Sequence, residues 1–266
     1  MSDTYRYTIL GCGSSAGVPR IGNDWGACDP NNPKNRRRRC AMLVERIGQN
    51  GTTRALIDTG PDLREQLLSA DVSTLDGVAY THPHADHVHG VDDLRVVVYH
   101  LERRLKVYAD EATTADLLAR FGYVFKTPEG SAYPPVLDLH KIDGPITISG
   151  AGGDILLEPF NARHGRIDAL GFRIGGLAYL PDVSAMYDES WAAVQGLDIW
   201  VLDALRRAPH PTHAHLAQSL EWIAKAAPKQ AVLTNMHIDL DYETVRAETP
   251  DNVTPAYDGM VLSLPA

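Results

Sequence analysis

Cysteine is scarce in this sequence. Only Cys12, Cys28 and Cys40 occur in 266 residues, too few and too irregularly spaced to brace a secreted fold with disulfides. A reducing compartment is therefore expected. No run of 18 apolar residues occurs, so no membrane-spanning helix and no membrane partner are expected. The opening MSDTYRYTIL lacks a basic start followed by an apolar core, so no secretory leader is expected and the cytoplasm is the expected location. Basic charge is in deficit too: 25 Lys and Arg stand against 34 Asp and Glu, a net charge of −9. Phosphate contacts supply most of the affinity for long nucleic acid and demand a basic face, so the acidic balance argues against that class of partner. Divalent cations would reverse the sign locally, which leaves a small anionic substrate compatible.

No internal repeat, low-complexity stretch or linker divides the chain, and a single domain over residues 1–266 is expected. Patterning predicts strands at Tyr5–Leu10, Cys40–Glu45, Ala55–Asp58, Val78–Thr81, Lys106–Ala109 and Ile155–Pro159, with a long Gly/Pro/Asn loop after the first. Leu170–Ile174 and Leu177–Leu180, separated by Gly175-Gly176, read as a hairpin. Ile199–Asp203 and Ala231–Thr234 are later strands. Helical periodicity covers Leu63–Ser69, Val91–His100, Thr113–Phe121 and Leu216–Ala226. Strands and helices mix throughout, which places the chain in the α/β class. Polar residues stand where strands end: Asp58 closes Ala-Leu-Ile-Asp, His82 follows Val-Ala-Tyr-Thr, Asp182 follows the hairpin and His237 follows the last of these strands.

The densest chemistry lies in Thr81-His82-Pro83-His84-Ala85-Asp86-His87, where three imidazoles and a carboxylate fall within six residues. These are ligands that Zn²⁺, Mn²⁺ and Fe²⁺ accept. His82 and His84 point one way on an extended or turning backbone, and Asp86 with His87 follow one turn later, so one segment can serve two neighbouring ions. Four ligands do not complete two sites; His164, Asp182 and His237 are the candidates for the remainder. Taken alone each has an ordinary reading: the histidines as surface or core residues, and Asp182 as the cap of a following helix.

Together the series His82-x-His84-x-Asp86-His87, His164, Asp182 and His237, preceded by Asp58 in Ile-Asp-Thr-Gly, resembles the metallo-β-lactamase superfamily. The resemblance implies a four-layer αββα sandwich. It also implies that His82, His84 and His164 bind one metal, that Asp86, His87 and His237 bind the other, that Asp182 bridges them, and that Asp58 orients a ligand from behind. A water shared by two such ions loses its proton near neutral pH and attacks phosphorus or carbonyl carbon, while the ions neutralise the oxygens.

Asp at position 182 disfavours true β-lactamases. The opening Leu10-Gly11-Cys12-Gly13-Ser14-Ser15-Ala16-Gly17-Val18-Pro19 and the closing Pro255–Met260 segment resemble the nuclease and phosphodiesterase branch. Within it, the chain is similar to the phosphoribosyl 1,2-cyclic phosphate phosphodiesterases of phosphonate breakdown. That likeness implies a homodimer, two Mn²⁺ or Zn²⁺ ions, and a small cyclic phosphodiester or nucleotide-like substrate. It makes His213 in Pro-Thr-His-Ala-His the residue that reaches the phosphate or gives a proton to the leaving oxygen, with His215 as alternative; a bland reading has Thr212 or His213 capping the next helix. The glycine-rich opening is either structural or a phosphate cradle. The family's extra structural zinc is not expected, because the loop holds only Cys28 and Leu240 stands in place of a histidine. Arg36–Arg39 reads as a solvated face or a phosphate-binding rim. Residues Gly122–His140 are expected to form a loop that reads the organic part of the substrate.

Two other functions remain in view. A tRNA 3′-processing endoribonuclease shares much of the series, but strands and a helix fill most of the 54 residues between Asp182 and His237, and with the acidic net charge that argues against an RNA-gripping arm. A non-catalytic metal- or nucleotide-binding protein is the other, and the full ligand set argues against it.

Overall fold

The computed structural model describes residues 3–266 and divides them into two compact units. In chain order the elements are β1 (Thr4–Gly11), β2 (Ala41–Gly48), β3 (Gly51–Ile57), α1 (Leu63–Ser69), β4 (Gly77–Ala79), α2 (Ala85–Val88), α3 (Leu94–Leu101), β5 (Leu105–Ala109), α4 (Glu111–Phe125), β6 (Leu137–Lys141) and β7 (Ile146–Ile148). They continue as β8 (Ile155–His164), β9 (Ile167–Ile174), β10 (Leu177–Leu180), β11 (Ala185–Met186), β12 (Ile199–Asp203), α5 (Leu216–Ala226), β13 (Gln230–Thr234), α6 (Tyr242–Glu248), β14 (Val253–Pro255) and β15 (Met260–Pro265). Two large sheets with helices put the chain in the expected mixed α/β class.

The first unit comprises residues 3–10, 41–156 and 261–266. Its sheet runs β15-β1-β2-β3-β4-β5-β6. β2 and β3 form an antiparallel hairpin, whereas β3, β4, β5 and β6 are parallel neighbours. Parallel strands need crossovers, and α1, α3 and α4 supply them. α3 shows why these segments are helical: Leu94, Val97, Val98 and Leu101 repeat at helical spacing and pack on Leu43, Leu56, Val78 and Val107 of the strands. Ile57 pairs with Ala79 in register, so the residues after β3 and β4 leave the sheet side by side.

The second unit comprises residues 11–40 and 157–260, with a sheet in the order β11-β8-β9-β10-β12-β13-β14. The β9–β10 hairpin turns at Gly175-Gly176 as the sequence predicts. β10, β12 and β13 are parallel, with Leu180 paired to Leu202 and Asp203 to Thr234. These strands are mostly apolar and, Gln230 apart, buried, the pattern of a parallel sheet covered on both faces. Three consecutive strands therefore release their last residues at one sheet edge, which is where ligands gather in parallel sheets.

Some expectations change. Residues Gly122–His140 are not one loop: α4 runs to Phe125 and β6 begins at Leu137, leaving 126–136 as the connection. No helix follows Asp182; two-residue β11 does, so Asp182 is not a helix cap. The N-cap position of α5 is His215, and it makes no side-chain capping bond, which removes the capping reading of Thr212 and His213. Among the described residues no helix is long and apolar enough to cross a membrane.

Candidate metal centre

In the first unit Asp58 is the hub. It directly follows β3, is fully buried, and adopts φ of +66°, a left-handed backbone that Asp tolerates better than most residues. Its amide donates to Ala79 O at 3.0 Å, which ties it to the end of β4. Asp58 Oδ1 accepts from the Thr81 amide and Oδ2 from the Thr81 hydroxyl, each at 2.8 Å. His87 Nδ1 donates to the same Oδ2 at 2.7 Å. Because the Thr81 proton goes to Asp58, its oxygen accepts from His82 Nδ1 at 2.9 Å. One carboxylate thus fixes the tautomers of two imidazoles, leaving lone pairs on Nε2 of both His82 and His87. Their rings lie 4.2 Å apart between centroids. His82 Nε2 is 3.0 Å from His84 Nδ1, and His87 Nε2 is 3.6 Å from Asp86 Oδ2. The single turn of α2 puts Asp86 and His87 on successive positions, with His84 extended just before it. Burial raises the Asp58 pKa, opposed by His87 and the Thr81 donors.

In the second unit the strand alternation of β8 turns Phe160, Ala162 and His164 to the buried face. His164 Nδ1 donates to Thr212 O at 2.7 Å, so its Nε2 lone pair faces Asp182 Oδ1 at 3.9 Å. Two acceptors turned toward each other at that distance are a pair that a cation satisfies. His213 Nδ1 is 3.4 Å from the same oxygen, and the ligand atoms of His164, Asp182 and His213 all lie within 4.8 Å of one another. These donors have the chemistry of a divalent-cation site.

Behind them stand two residues the sequence reading did not select. Asp203, the buried last residue of β12, accepts from His213 Nδ1 at 3.0 Å and from the Val183 amide at 3.0 Å. Asn235, the residue after β13, donates from Nδ2 to Asp182 Oδ1 and Asp203 Oδ1, each at 3.2 Å. It is buried and left-handed, with φ of +59°. Burial pushes the Asp203 pKa up, with His213 pulling it back. The missed signal was present: Asp203 closes Ile-Trp-Val-Leu-Asp as Asp58 closes Ala-Leu-Ile-Asp. His237 Nδ1 donates to Asp239 Oδ1 at 3.0 Å, which frees its Nε2 in the same way. His215 joins none of these side-chain contacts among the described residues.

The arginine run is not one solvated face: Arg36 is exposed and Arg38 and Arg39 are half-buried, but Arg37 points inward. Arg37 is 2% exposed. Its Nη2 donates to Leu240 O at 2.7 Å and Asn35 Oδ1 at 3.2 Å, and Nη1 to His237 O at 3.4 Å. Arg38 pairs with Asp258 at 3.0 Å. Arg37 is a staple between the N-terminal loop and the turn that carries His237. The glycine-rich opening is likewise committed inward. The amides of Cys12, Gly13, Ser14, Gly17 and Val18 donate to Asp258, Arg38, Met236, Ser14 and Arg37 respectively. A Cβ on Gly13 would sit 2.9 Å from Arg37 O, so glycine is there for close backbone approach. These bonds support the structural reading of the loop at those five amides, while Ser15 and Ala16 are exposed.

Residues 53–238 match the β-lactamase superfamily domain family, and the chain belongs to that family. A diphosphatase of the PhnP family has a crystal structure 35% identical to this chain, with a TM-score of 0.88 over 98% of this chain and 97% of that one. Human tRNase Z, short form, aligns over 98% of this chain and all of its own with a TM-score of 0.67, and at 17% identity it shows the shared fold alone. An octanoyltransferase of Porphyromonas gingivalis is 33% identical over 96% of this chain. The chain spans about half the length of that relative, 51%.

Proposed function

We propose that this protein is a metal-dependent phosphoester hydrolase that cleaves a small phosphodiester, of which a cyclic phosphate on ribose is the expected form. The observation that carries this reading is the cluster at the end of β10, β12 and β13. His164 and Asp182 present ligand atoms there, and His213 stands beside them, held by buried Asp203. The likeness to a PhnP-family diphosphatase supports phosphorus as the centre attacked.

Two divalent ions, Mn²⁺ or Zn²⁺, held by His82, His84, Asp86, His87, His164, Asp182 and His237, would supply an activated water and neutralise the phosphoryl oxygens. The chain's own residues do the rest. Asp58 keeps His82 and His87 in the tautomer that offers Nε2. Asp203 keeps the His213 proton on Nδ1, so Nε2 is the nitrogen that exchanges a proton with the leaving oxygen. Asn235 holds Asp182 and Asp203 apart while bonded to both. Thiol chemistry finds no support, since all three cysteines are buried and burial raises each thiol pKa. The family likeness extends the reading to a cytoplasmic homodimer that does not act on long nucleic acid.

The test is a panel of cyclic and linear phosphodiesters, diphosphates and a precursor tRNA, assayed on one preparation with metal analysis. Turnover of small phosphoesters with about two ions per chain supports the reading. Cleavage of the precursor tRNA alone would replace it with the endonuclease, and no turnover with any divalent ion, despite two bound, would favour a binding role.

A further inference from the structure

His210 has no part in the reading above, yet it stands against the residue that has. The His210 and His213 rings lie 5.2 Å apart between centroids, tilted by 50°. His210 Nδ1 accepts from the Thr212 amide at 3.3 Å, with the Thr212 hydroxyl 3.1 Å away. A backbone N–H only donates, so Nδ1 holds its lone pair and the neutral ring carries its proton on Nε2. Among the described residues that Nε2–H meets no protein acceptor, since both of the ring's hydrogen bonds are at Nδ1.

The ring is firmly held. Thr212, which fixes it, is itself fixed by the bond from His164 Nδ1 to its carbonyl. Arg206 fastens the connecting loop, donating from Nε to Ala208 O at 3.1 Å and from Nη2 to Pro209 O at 2.8 Å. Burial lowers the His210 pKa, and the charges of His213, Arg206 and His237 lower it further. A neutral N–H donor near the Arg206 guanidinium matches an oxyanion, which brings lone pairs and negative charge together. The two imidazoles are thus chemically unlike. His213 is set by a carboxylate to exchange a proton at Nε2, whereas His210 is set by an amide to remain an N–H donor.

We propose that His210 is a phosphate-binding residue, its Nε2–H donating to an oxygen of the substrate phosphoryl group beside His213. The choice of a phosphoryl oxygen rests on the proposed function. The residue would govern how tightly substrate is held rather than how fast the bond breaks, since it neither gains nor loses a proton.

The probes are inorganic phosphate, titrated calorimetrically into the Mn²⁺-loaded protein, and turnover of bis(p-nitrophenyl) phosphate. His210→Phe keeps a ring without a donor, and His210→Gln restores an N–H. With Phe, phosphate affinity should fall about tenfold or more and KM should rise by a similar factor, with kcat within about twofold. Gln should recover part of both. Metal content should match wild type, which a merely structural role through Thr212 and His164 would not allow. Unchanged phosphate affinity in His210→Phe, or loss of metal from it, would overturn the assignment. If wild type fails to turn over any diester yet binds phosphate in a His210-dependent way, the phosphodiesterase reading falls and His210 stands. If wild type binds no phosphate, the His210 assignment falls.

Discussion

Asp203 Oδ2, on a carboxylate with no exposed surface, accepts a hydrogen bond from His213 Nδ1 at 3.0 Å. That bond decides which nitrogen of His213 is free for chemistry. Asp203→Asn keeps the shape but can present a donor in place of the acceptor, and so reverses the tautomer. The expected result is a fall in kcat on bis(p-nitrophenyl) phosphate of about 10²-fold or more, the scale of a lost proton-transfer catalyst, with KM changed far less. Wild-type kcat in this variant would remove the pair from the mechanism.

Asp58 should matter through metal affinity. Asp58→Asn tolerates the left-handed backbone but turns an NH2 either toward the Thr81 amide or toward His87 Nδ1 and the Thr81 hydroxyl, so that donor faces donor. Loss of such an outer partner weakens metal binding by about 10–100-fold. A competition titration against a chelator should show this for Mn²⁺ or Zn²⁺, and equal affinity would mean the hydrogen bond is idle.

Arg37 should matter through stability. Arg37→Met would leave Leu240 O without its donor and take one of two donors from His237 O and Asn35 Oδ1, which keep the Leu240 and Tyr242 amides. About 1–3 kcal/mol of unfolding free energy should go, the cost of one unsatisfied buried polar group. Arg37→Lys should recover less than half, because an ammonium lacks the planar fork. Urea unfolding measures both, and a loss below the error of the fit would show that water replaces the guanidinium.

Acid should weaken the start of α6. Asp241 caps that helix through the Thr244 amide and also accepts from the Asp29 amide and Asn35 Nδ2. Burial opposes its ionisation, but those donors hold its pKa down to about 2. A carboxylate lowered on folding adds stability that is present above its unfolded value near 3.8 and is lost as pH falls through about 2. Asp241→Ala should therefore cost about 1 kcal/mol at pH 7, with the gap from wild type closing between roughly pH 4 and pH 2. A gap that is constant with pH would assign the cost to packing alone.

Elements with clean patterns were legible with their true bounds: Leu63–Ser69 and Leu216–Ala226 as helices, Ile199–Asp203 as a strand. β6 was not, because Leu-Asp-Leu-His-Lys is half polar and follows Pro134-Pro135. α6 was missed because only Tyr242 and Val245 turn inward, too few for a helical period to show. In the site, the ligand-type residues stood out by chemistry and order. What did not show was the outer layer, since Asp203 and Asn235 act through a register between β12 and β13 that only the folded sheet reveals. Arg37 was hidden for another reason: four adjacent arginines look alike, and burial singles out one of them.

A protein that fastens the turn bearing His237 with a guanidinium need not rely on an inorganic ion for that task. Chelators extract ions but cannot extract a side chain. Treatment with EDTA should therefore strip reactivity while this corner of the second unit keeps its form, and stripped protein should regain its ions without refolding.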